Sequence, residues 1–135
     1  MGAPAQRHLV LILARDFASR LATAVFLVDT EGNLIFFNEE AERVLGQPFV
    51  EGRDMPAATW STHFSPVDAD GQPLPLDSLP LGIALTEHEP AHRAIRIAGS
   101  DGATRDIEVT AFPLFAHADE FVGAVAIFWE RSGDR

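Results

Sequence analysis

Residues 24–46 read AVFLVDTEGNLIFFNEEAERVLG, and this stretch decides the fold predicted for the chain. Two apolar runs, 24–28 and 34–37, are rich in residues that suit β-strands, and the turn sequence DTEG separates them. Asp29 can accept hydrogen bonds from backbone amides of that turn. Gly32 can adopt the positive φ that a side chain would oppose. The stretch therefore predicts a β-hairpin.

A short helix is predicted directly after the hairpin. Asn38 suits its N-cap, because an amide oxygen can accept a hydrogen bond from the first turn. Glu39 and Glu40 follow where the helix dipole favours carboxylates, and Gly46 is placed to end the helix. The apolar residues expected on its buried face are Ala41, Val44 and Leu45.

An earlier helix is predicted from Arg7 to Leu21, where apolar residues recur at spacings near three and four without proline or glycine. Its apolar surface is wider than one stripe. Such a helix needs two partners, its own sheet on one side and a second subunit on the other; packing on its own domain alone is the open alternative. The residues expected at a dimer contact are Leu9, Val10, Ile12, Leu13 and Phe17.

The second half of the chain predicts a long connection, a helix and three strands. Residues 47–76 keep no period and contain five prolines, so they predict a connection with one short helical turn near 57–60. A connection of this length is often functional, and Trp60 and Phe64 are expected to cover a core or a pocket. The later elements are expected at 77–85 (helix, capped by Asp77 or Ser78), 91–98, 104–112 and 121–129 (strands).

Composition excludes several classes of protein. At 135 residues the chain fits one domain, and its formal charge of -10 disfavours contact with nucleic acid or anionic lipid. The absence of cysteine excludes disulfides, thiolate metal sites and a cysteine nucleophile. The apolar run 9–14 is far shorter than the about 20 residues that span a bilayer, and no signal peptide is indicated. A cytoplasmic location is expected.

The order of the elements, with the motif Asp29-x-x-Gly32-x-Leu34-x-x-x-Asn38-x-x-Ala41-x-x-x-Leu45-Gly46, resembles the first half of a PAS domain. The second half adds the helix from Pro80, the Asp101-Gly102 hairpin, Pro113-Leu114 and Gly123 in the last strand. The resemblance implies an α+β fold, a five-stranded antiparallel sheet with small helices on one face and an N-terminal flanking helix. The implied bounds are 1–20 for that helix, 21–132 for the PAS domain and 133–135 for a tail.

The resemblance implies a sensory signalling module that binds a small ligand or a protein partner. It is expected to form a homodimer and to regulate an output domain, such as a kinase, phosphatase or transcription factor, outside this chain, with no enzymatic activity of its own. Many members end the last strand with Asp-x-Thr, which couples the sheet to the output. Here Glu130 and Ser132 occupy the matching positions, with a longer carboxylate side chain.

A cavity between sheet and helices would suit a small apolar ligand, with a filled core as the open alternative. The residues expected to line it are Phe36, Trp60, Phe64, Ile83, Ile95, Ile107, Val109, Val125 and Ile127. Flavin–cysteinyl photochemistry and a cysteine-bound chromophore are excluded because the chain has no cysteine. Haem is disfavoured, since its candidate ligands His88 and His92 are expected in an exposed turn. His63, Asp68 and Asp70 are interpreted as solvated loop residues rather than a metal site.

Two alternatives remain at the level of sequence. One is an enzyme of the NTF2-like or ketosteroid-isomerase type, which also encloses an apolar pocket but uses an acidic base and often a tyrosine. The early hairpin and the absence of tyrosine disfavour it. The other is a purely structural dimerisation domain with a filled core, which the sequence does not separate from a sensor.

Overall fold

One antiparallel sheet organises the chain, in a computed structural model that describes residues 9–53, 55–117 and 119–131. Its strand order is β2-β1-β5-β4-β3. The elements in chain order are α1 (Leu9–Ala18), β1 (Ala24–Val28), β2 (Leu34–Phe37), α2 (Glu39–Leu45), α3 (Ala57–His63), a 3₁₀ turn (Leu76–Ser78), α4 (Pro80–Glu87), β3 (Ala91–Ala98), β4 (Thr104–Phe115) and β5 (Phe121–Glu130). The predicted order of elements and the α+β fold with a five-stranded antiparallel sheet are confirmed.

The two faces of the sheet carry different layers. The small helices α2, α3 and α4 cover one face, here called the inner face, where Phe26, Phe37 and Phe128 belong to the larger apolar core. Helix α1 lies on the opposite, outer face, over Val25, Leu27 and Val125. Helix α4 begins at Pro80 with Leu79 as its N-cap, so the predicted caps Asp77 and Ser78 lie instead in the 3₁₀ turn. Predicted residues 7 and 8 of α1 lie outside the described residues.

Asn38 joins four segments at the start of α2. Its side chain is buried, and its Oδ1 accepts from Val25 N at 3.0 Å and Ala41 N at 3.1 Å. Its Nδ2 donates to Ala18 O at 2.9 Å and Thr23 O at 2.8 Å. The predicted N-cap is therefore present, and the same side chain also fixes the end of α1 and the connection to β1.

Strand β2 contains a bulge that the sequence did not reveal. Leu27 pairs with Phe36 and Val28 pairs with Leu34, so Ile35 is an extra residue in β2. In a bulge of this kind two successive residues oppose one partner and the alternation of faces is interrupted. Ile35 and Phe36 consequently both pack with the outer-face cluster, while Phe37 packs in the inner core.

Helix α1 is held to its own domain by packing and by one arginine. Leu11 and Ala18 are buried against the outer face. A Cβ on Gly123 of β5 would lie 2.9 Å from Leu11 Cδ2, so the glycine permits this close approach. Arg15 places its guanidinium 4.6 Å from the ring centre of Phe36 and pairs with Glu51, with Nη2 2.5 Å from Oε1. These contacts fix which side of α1 faces away from the sheet.

Candidate functional site

A cavity of about 90 Å³ lies between the inner face of the sheet and the helices. Its wall is formed by inner residues of β1, β3, β4 and β5, by the end of α2, by the centre of α3 and the loop that follows it, and by the first turn of α4. The lining residues are Phe26, Leu45, Trp60, Phe64, Pro66, Leu79, Pro80, Leu81, Ile95, Ile97, Ile107, Val109, Ala126 and Phe128. The alternative of a filled core, with no cavity, does not describe this structure.

The wall of the cavity is apolar throughout. Of the described residues that line it, one has a side chain with a polar atom: Trp60, whose Nε1 already donates to Gly32 O at 2.7 Å. The indole also packs edge-on against Phe26, with ring centres 5.6 Å apart and an interplanar angle of 70°. Trp60 is thus held in place from two sides. Among residues 9–53, 55–117 and 119–131, no carboxylate lies in the wall, so the acidic base required by the ketosteroid-isomerase alternative is not found there.

The predicted lining residues divide into two groups. Five of them, Trp60, Phe64, Ile95, Ile107 and Val109, lie in the cavity wall. The other four, Phe36, Ile83, Val125 and Ile127, do not, and their predicted placement is corrected here.

Each of the four corrections has a physical cause. Phe36 faces outward because it pairs with Leu27, which also packs in the outer-face cluster, and the all-apolar sequence of β2 does not show this direction. Val125 and Ile127 pack with the outer-face cluster, and it is Ala126 and Phe128 that face the cavity. Strand β5 is apolar on both faces, so its sequence does not show which of its residues face inward. Ile83 is half-buried on α4, but the helix meets the cavity through its first turn rather than its centre.

Several lining residues were not predicted from the sequence. Phe26 lies on β1, which is buried on both faces, so alternation could not identify its inward side. For Leu45 the sequence predicts only the buried face of α2, which does not by itself indicate a place in the cavity wall. Leu79 and Leu81 flank Pro80 at the start of α4, where a turn and a helix meet and no single period applies.

The residues present do not fit a flavin or a haem in this cavity. Sites for drug-sized ligands measure about 300–1,000 Å³, several times this volume. The described residues of the wall offer no amide or hydroxyl side chain. His88 is exposed at the end of α4, with its ring stacked on Phe121 at 3.9 Å. His92 is exposed and pairs with Glu108 at 2.8 Å. Neither histidine lines the cavity.

The loop residues considered for a metal take part in ordinary loop contacts. Asp68 Oδ1 accepts from the backbone amides of Asp70 and Gln72, both at 2.9 Å, which closes a tight turn. His63 Nε2 lies 3.0 Å from Gln47 Oε1. Within residues 9–53, 55–117 and 119–131, no group of three or more His, Asp or Glu side chains could hold a metal ion.

A second feature is an exposed apolar stripe on α1. Leu9, Ile12, Leu13 and Phe17 are each at least half exposed, at 63%, 50%, 58% and 64%. Val10, also predicted at a dimer contact, is half-buried. Residues at these spacings share one side of a helix, and Arg15 keeps that side turned from the sheet. The domain therefore presents a row of apolar side chains to solvent.

A third feature is an ion-pair network, here called the Glu130 network, at the end of β5. Glu130 Oε1 accepts from Arg43 Nη1 of α2 at 3.0 Å, and Glu130 Oε2 lies 3.7 Å from Arg105 Nε of β4. Arg105 also pairs with Asp101 in the β3–β4 turn at 3.0 Å. The hydrogen bond from Arg105 holds the pKa of Asp101 below its ordinary value. Ser132, the other predicted coupling residue, lies outside the described residues.

Within the Glu130 network, Arg43 has two carboxylate partners. Besides Glu130 it donates to Glu40 Oε2 from Nη2 at 2.6 Å. The hydrogen bonds to Glu40 and Glu130 raise the pKa of Arg43, and the bond from Arg43 lowers the pKa of Glu40. Each ion is partly exposed, so the pairs hold geometry more than they add stability.

Comparison with known proteins agrees with the fold. The chain resembles a PAS domain from Colwellia psychrerythraea with a TM-score of 0.63 and 18% identity, over 93% of this chain and 99% of that one. It resembles the PAS domain of nitrogen regulation protein NR(II) from Vibrio parahaemolyticus with a TM-score of 0.59 and 15% identity, over 88% and 98% of the two chains. A Rhodobacter sphaeroides LOV protein matches with a TM-score of 0.67 and 19% identity, over 89% and 67%.

No curated protein matches the sequence. In the part of the chain that the structure describes, no helix has the length and apolarity to cross a membrane. A family model described as the PAS fold matches residues 18–135, which is most of the chain. Together with the sheet order and the helices on its inner face, this match shows that the chain belongs to the PAS family.

Proposed function

We propose that this chain is a sensory signalling domain that binds a small apolar ligand in its cavity and transmits occupancy to the end of β5. The observation that carries the proposal is the position of the cavity wall relative to the Glu130 network. Phe128 lines the cavity two residues before Glu130, and Leu45 lines it two residues after Arg43. A ligand that displaces either apolar side chain acts on a strand or helix that also holds the network.

The similar structures support a signalling role. One is the PAS domain of nitrogen regulation protein NR(II), and another is the LOV domain of a blue-light activated histidine kinase from Erythrobacter litoralis. By analogy, this domain regulates an output domain such as a kinase, phosphatase or transcription factor. The stimulus here is chemical rather than a cysteinyl photoreaction, because the chain has no cysteine.

The domain acts as a homodimer through the α1 stripe. Four apolar side chains at least half exposed on one helix are unusual for a surface that stays in water, and they suit a second copy of the same helix. The formal charge of -10 weighs against nucleic acid and anionic membranes as partners, and a cytoplasmic location agrees with the cysteine-free composition. The domain itself has no catalytic role in this proposal.

The transmission step is tested by replacing Arg43 with methionine, which keeps much of its length and removes its charge. Hydrogen exchange of the β5 amides is measured with and without a ligand that fills the cavity. We expect ligand to slow exchange at 128–130 in the unmodified chain and to have a weaker effect in Arg43→Met. Arg53→Met is the matched control, because no ion pair of Arg53 is found among the described residues.

The dimer is tested by sedimentation over a range of protein concentrations. Phe17→Glu places a charge in the stripe and is expected to weaken association by at least about tenfold. Arg20→Glu, at an exposed position just beyond the end of α1, is expected to change it little. The proposed function is contradicted if the unmodified chain stays monomeric at high concentration and hydrogen exchange of the β5 amides does not change when a ligand fills the cavity. That result would favour a domain whose role is structural.

A further inference from the structure

We infer that the ligand of the cavity is a hydrocarbon without any hydrogen-bonding group, no larger than one six-membered ring and preferably aromatic. This inference rests on the proposed function, because it names the chemical class of the ligand that the domain senses. It follows from three properties of the wall, namely its volume, its lack of free polar atoms and its aromatic content.

The volume sets the upper limit of size. An apolar cavity of about 150 Å³ in another protein stays dry and binds benzene or xenon. The cavity here is smaller, at about 90 Å³, so a single small ring is the largest occupant and a fused double ring is excluded. Ile95 is half-buried, so this side of the wall adjoins solvent and offers a path by which a ring can enter.

The polarity of the wall sets the functional groups. In the part of the wall that the structure describes, the one polar side-chain atom is Trp60 Nε1, which donates to Gly32 O. In the described part of the chain no buried side-chain nitrogen or oxygen lacks a hydrogen-bond partner, so none is free to bind a polar group of a ligand. A ligand hydroxyl, amide or carboxylate would lose its hydrogen bonds to water on entering and would form none with the wall. Water itself needs two to four polar partners to stay in such a site, so the cavity is dry.

The aromatic content favours a flat, aromatic ligand over a saturated one. Four of the lining side chains are aromatic: Phe26, Trp60, Phe64 and Phe128. Phe26 and Trp60 already adopt an edge-to-face arrangement, and a ligand ring can continue that arrangement with its neighbours. Pairs of this geometry bind more tightly than buried area alone predicts, by a factor of about two to ten.

The charge of the molecule agrees with this class. With a formal charge of -10, the surface repels anions and slows their approach to any site. A neutral hydrocarbon is indifferent to that field. Small organic acids are therefore disfavoured twice, once by the surface and once by the wall.

The inference is tested by titrating the intact chain with benzene, cyclohexane, phenol, naphthalene and xenon. Binding is followed by the methyl resonances of Ile95, Ile107 and Val109 and by the thermal unfolding temperature. We expect benzene to shift all three residues and raise the unfolding temperature. Cyclohexane should bind about two- to tenfold more weakly, phenol at least about tenfold more weakly, and naphthalene not measurably. Xenon should shift the same methyl groups.

Two variants show that the shifts report the cavity. Ala126→Leu fills it from β5 and is expected to abolish benzene binding while the chain stays folded. Because added bulk in a core can destabilise a fold, Ile95→Phe at the half-buried rim provides a second test with the same expected loss. Ala94→Phe is the matched control, since Ala94 is exposed, adjacent in sequence and outside the cavity wall, and it should bind benzene unchanged.

The outcomes separate this inference from the proposed function. Phenol binding as tightly as benzene, or no binding of any of the five probes, overturns the inferred ligand class. Neither result changes the dimer, which sedimentation measures without any ligand. The link to β5 can still be measured by hydrogen exchange at 128–130 in Ala126→Leu, where the added side chain fills the cavity in place of a ligand. Benzene that binds as expected but leaves β5 exchange unchanged overturns the proposed transmission to β5 and supports the ligand class.

Discussion

The strongest test of the structure is the removal of the Asn38 side chain. Asn38→Ala leaves Val25 N buried without an acceptor and removes the cap from Ala41 N. An unpaired buried amide costs about 1–3 kcal/mol and a lost N-cap about 1 kcal/mol. The carbonyl groups add less, because Ala18 O also accepts from Leu21 N. We expect a loss of about 3 kcal/mol in the free energy of unfolding.

Urea denaturation of Asn38→Ala and of the unmodified chain, with the slopes compared, measures this loss; the matching fall in unfolding temperature is about 10 °C. Asn33→Ala is the control, because Asn33 is half-buried and its side chain reaches Asp29 Oδ2 only at 3.5 Å. Its cost should stay below about 0.5 kcal/mol. A cost below about 1 kcal/mol for Asn38→Ala would refute the assignment of Asn38 as a buried hub.

Asn38→Asp separates the two halves of the hub. It keeps an oxygen for Val25 N and Ala41 N but turns a second oxygen toward Ala18 O and Thr23 O, which Nδ2 contacts at 2.9 and 2.8 Å. Burial and these carbonyls favour the protonated acid, which can donate one hydrogen bond. Because the pKa of the new carboxyl is raised in the folded state, the variant should regain stability relative to the unmodified chain as the pH falls. A deficit that is constant between pH 8 and pH 5 would contradict this reasoning.

Three further predictions concern the flanking helix, the cavity and acid stability. Arg15→Met removes the contact with the Phe36 ring and should cost about 1 kcal/mol and speed hydrogen exchange in α1; unchanged exchange would show that Arg15 does not hold the helix. Trp60→Phe removes the donor to Gly32 O and part of the buried indole, for an expected loss of about 2–3 kcal/mol by urea denaturation, and a loss below about 0.5 kcal/mol would count against the assigned role. The hydrogen bond from Arg96 lowers the pKa of Asp106 from its ordinary 3.8, so the stability it provides is complete above that pH and is lost as the pH falls through the lower folded value. Asp106→Asn should therefore flatten part of the acid limb of a stability–pH curve, and an unchanged limb would argue that the pair is not formed in solution.

The hairpin and the first small helix were predictable because their turns and ends require particular residue types, and those residues are present. Gly32 has a φ of +86°, and Asp29 Oδ1 accepts from the amides of Glu31 and Asn33, as the turn sequence indicated. Gly46 ends α2 in the left-handed region. Local signals of this kind depend on neighbours in sequence, which a single chain displays in full.

The cavity wall was only partly predictable because it depends on which face of each strand looks inward. Ile107 and Val109 alternate with polar residues, so their direction could be inferred. Strand β5 has no polar residue until its end, and β2 contains a bulge that no residue announces. In such strands the face on which each side chain lies depends on packing with segments distant in sequence. In β5 this packing places Ala126 beside the cavity and Val125 beneath α1.

The Glu130 network has a consequence for anyone who builds fusions on this domain. A helix joined after Arg131 would start from a strand end that two arginines hold in a fixed orientation. Each residue inserted at the junction turns such a helix by about 100° and advances it by about 1.5 Å. A series of junctions differing by one residue would therefore sweep an attached enzyme through about one full rotation in four steps, and its activity should rise and fall with that period.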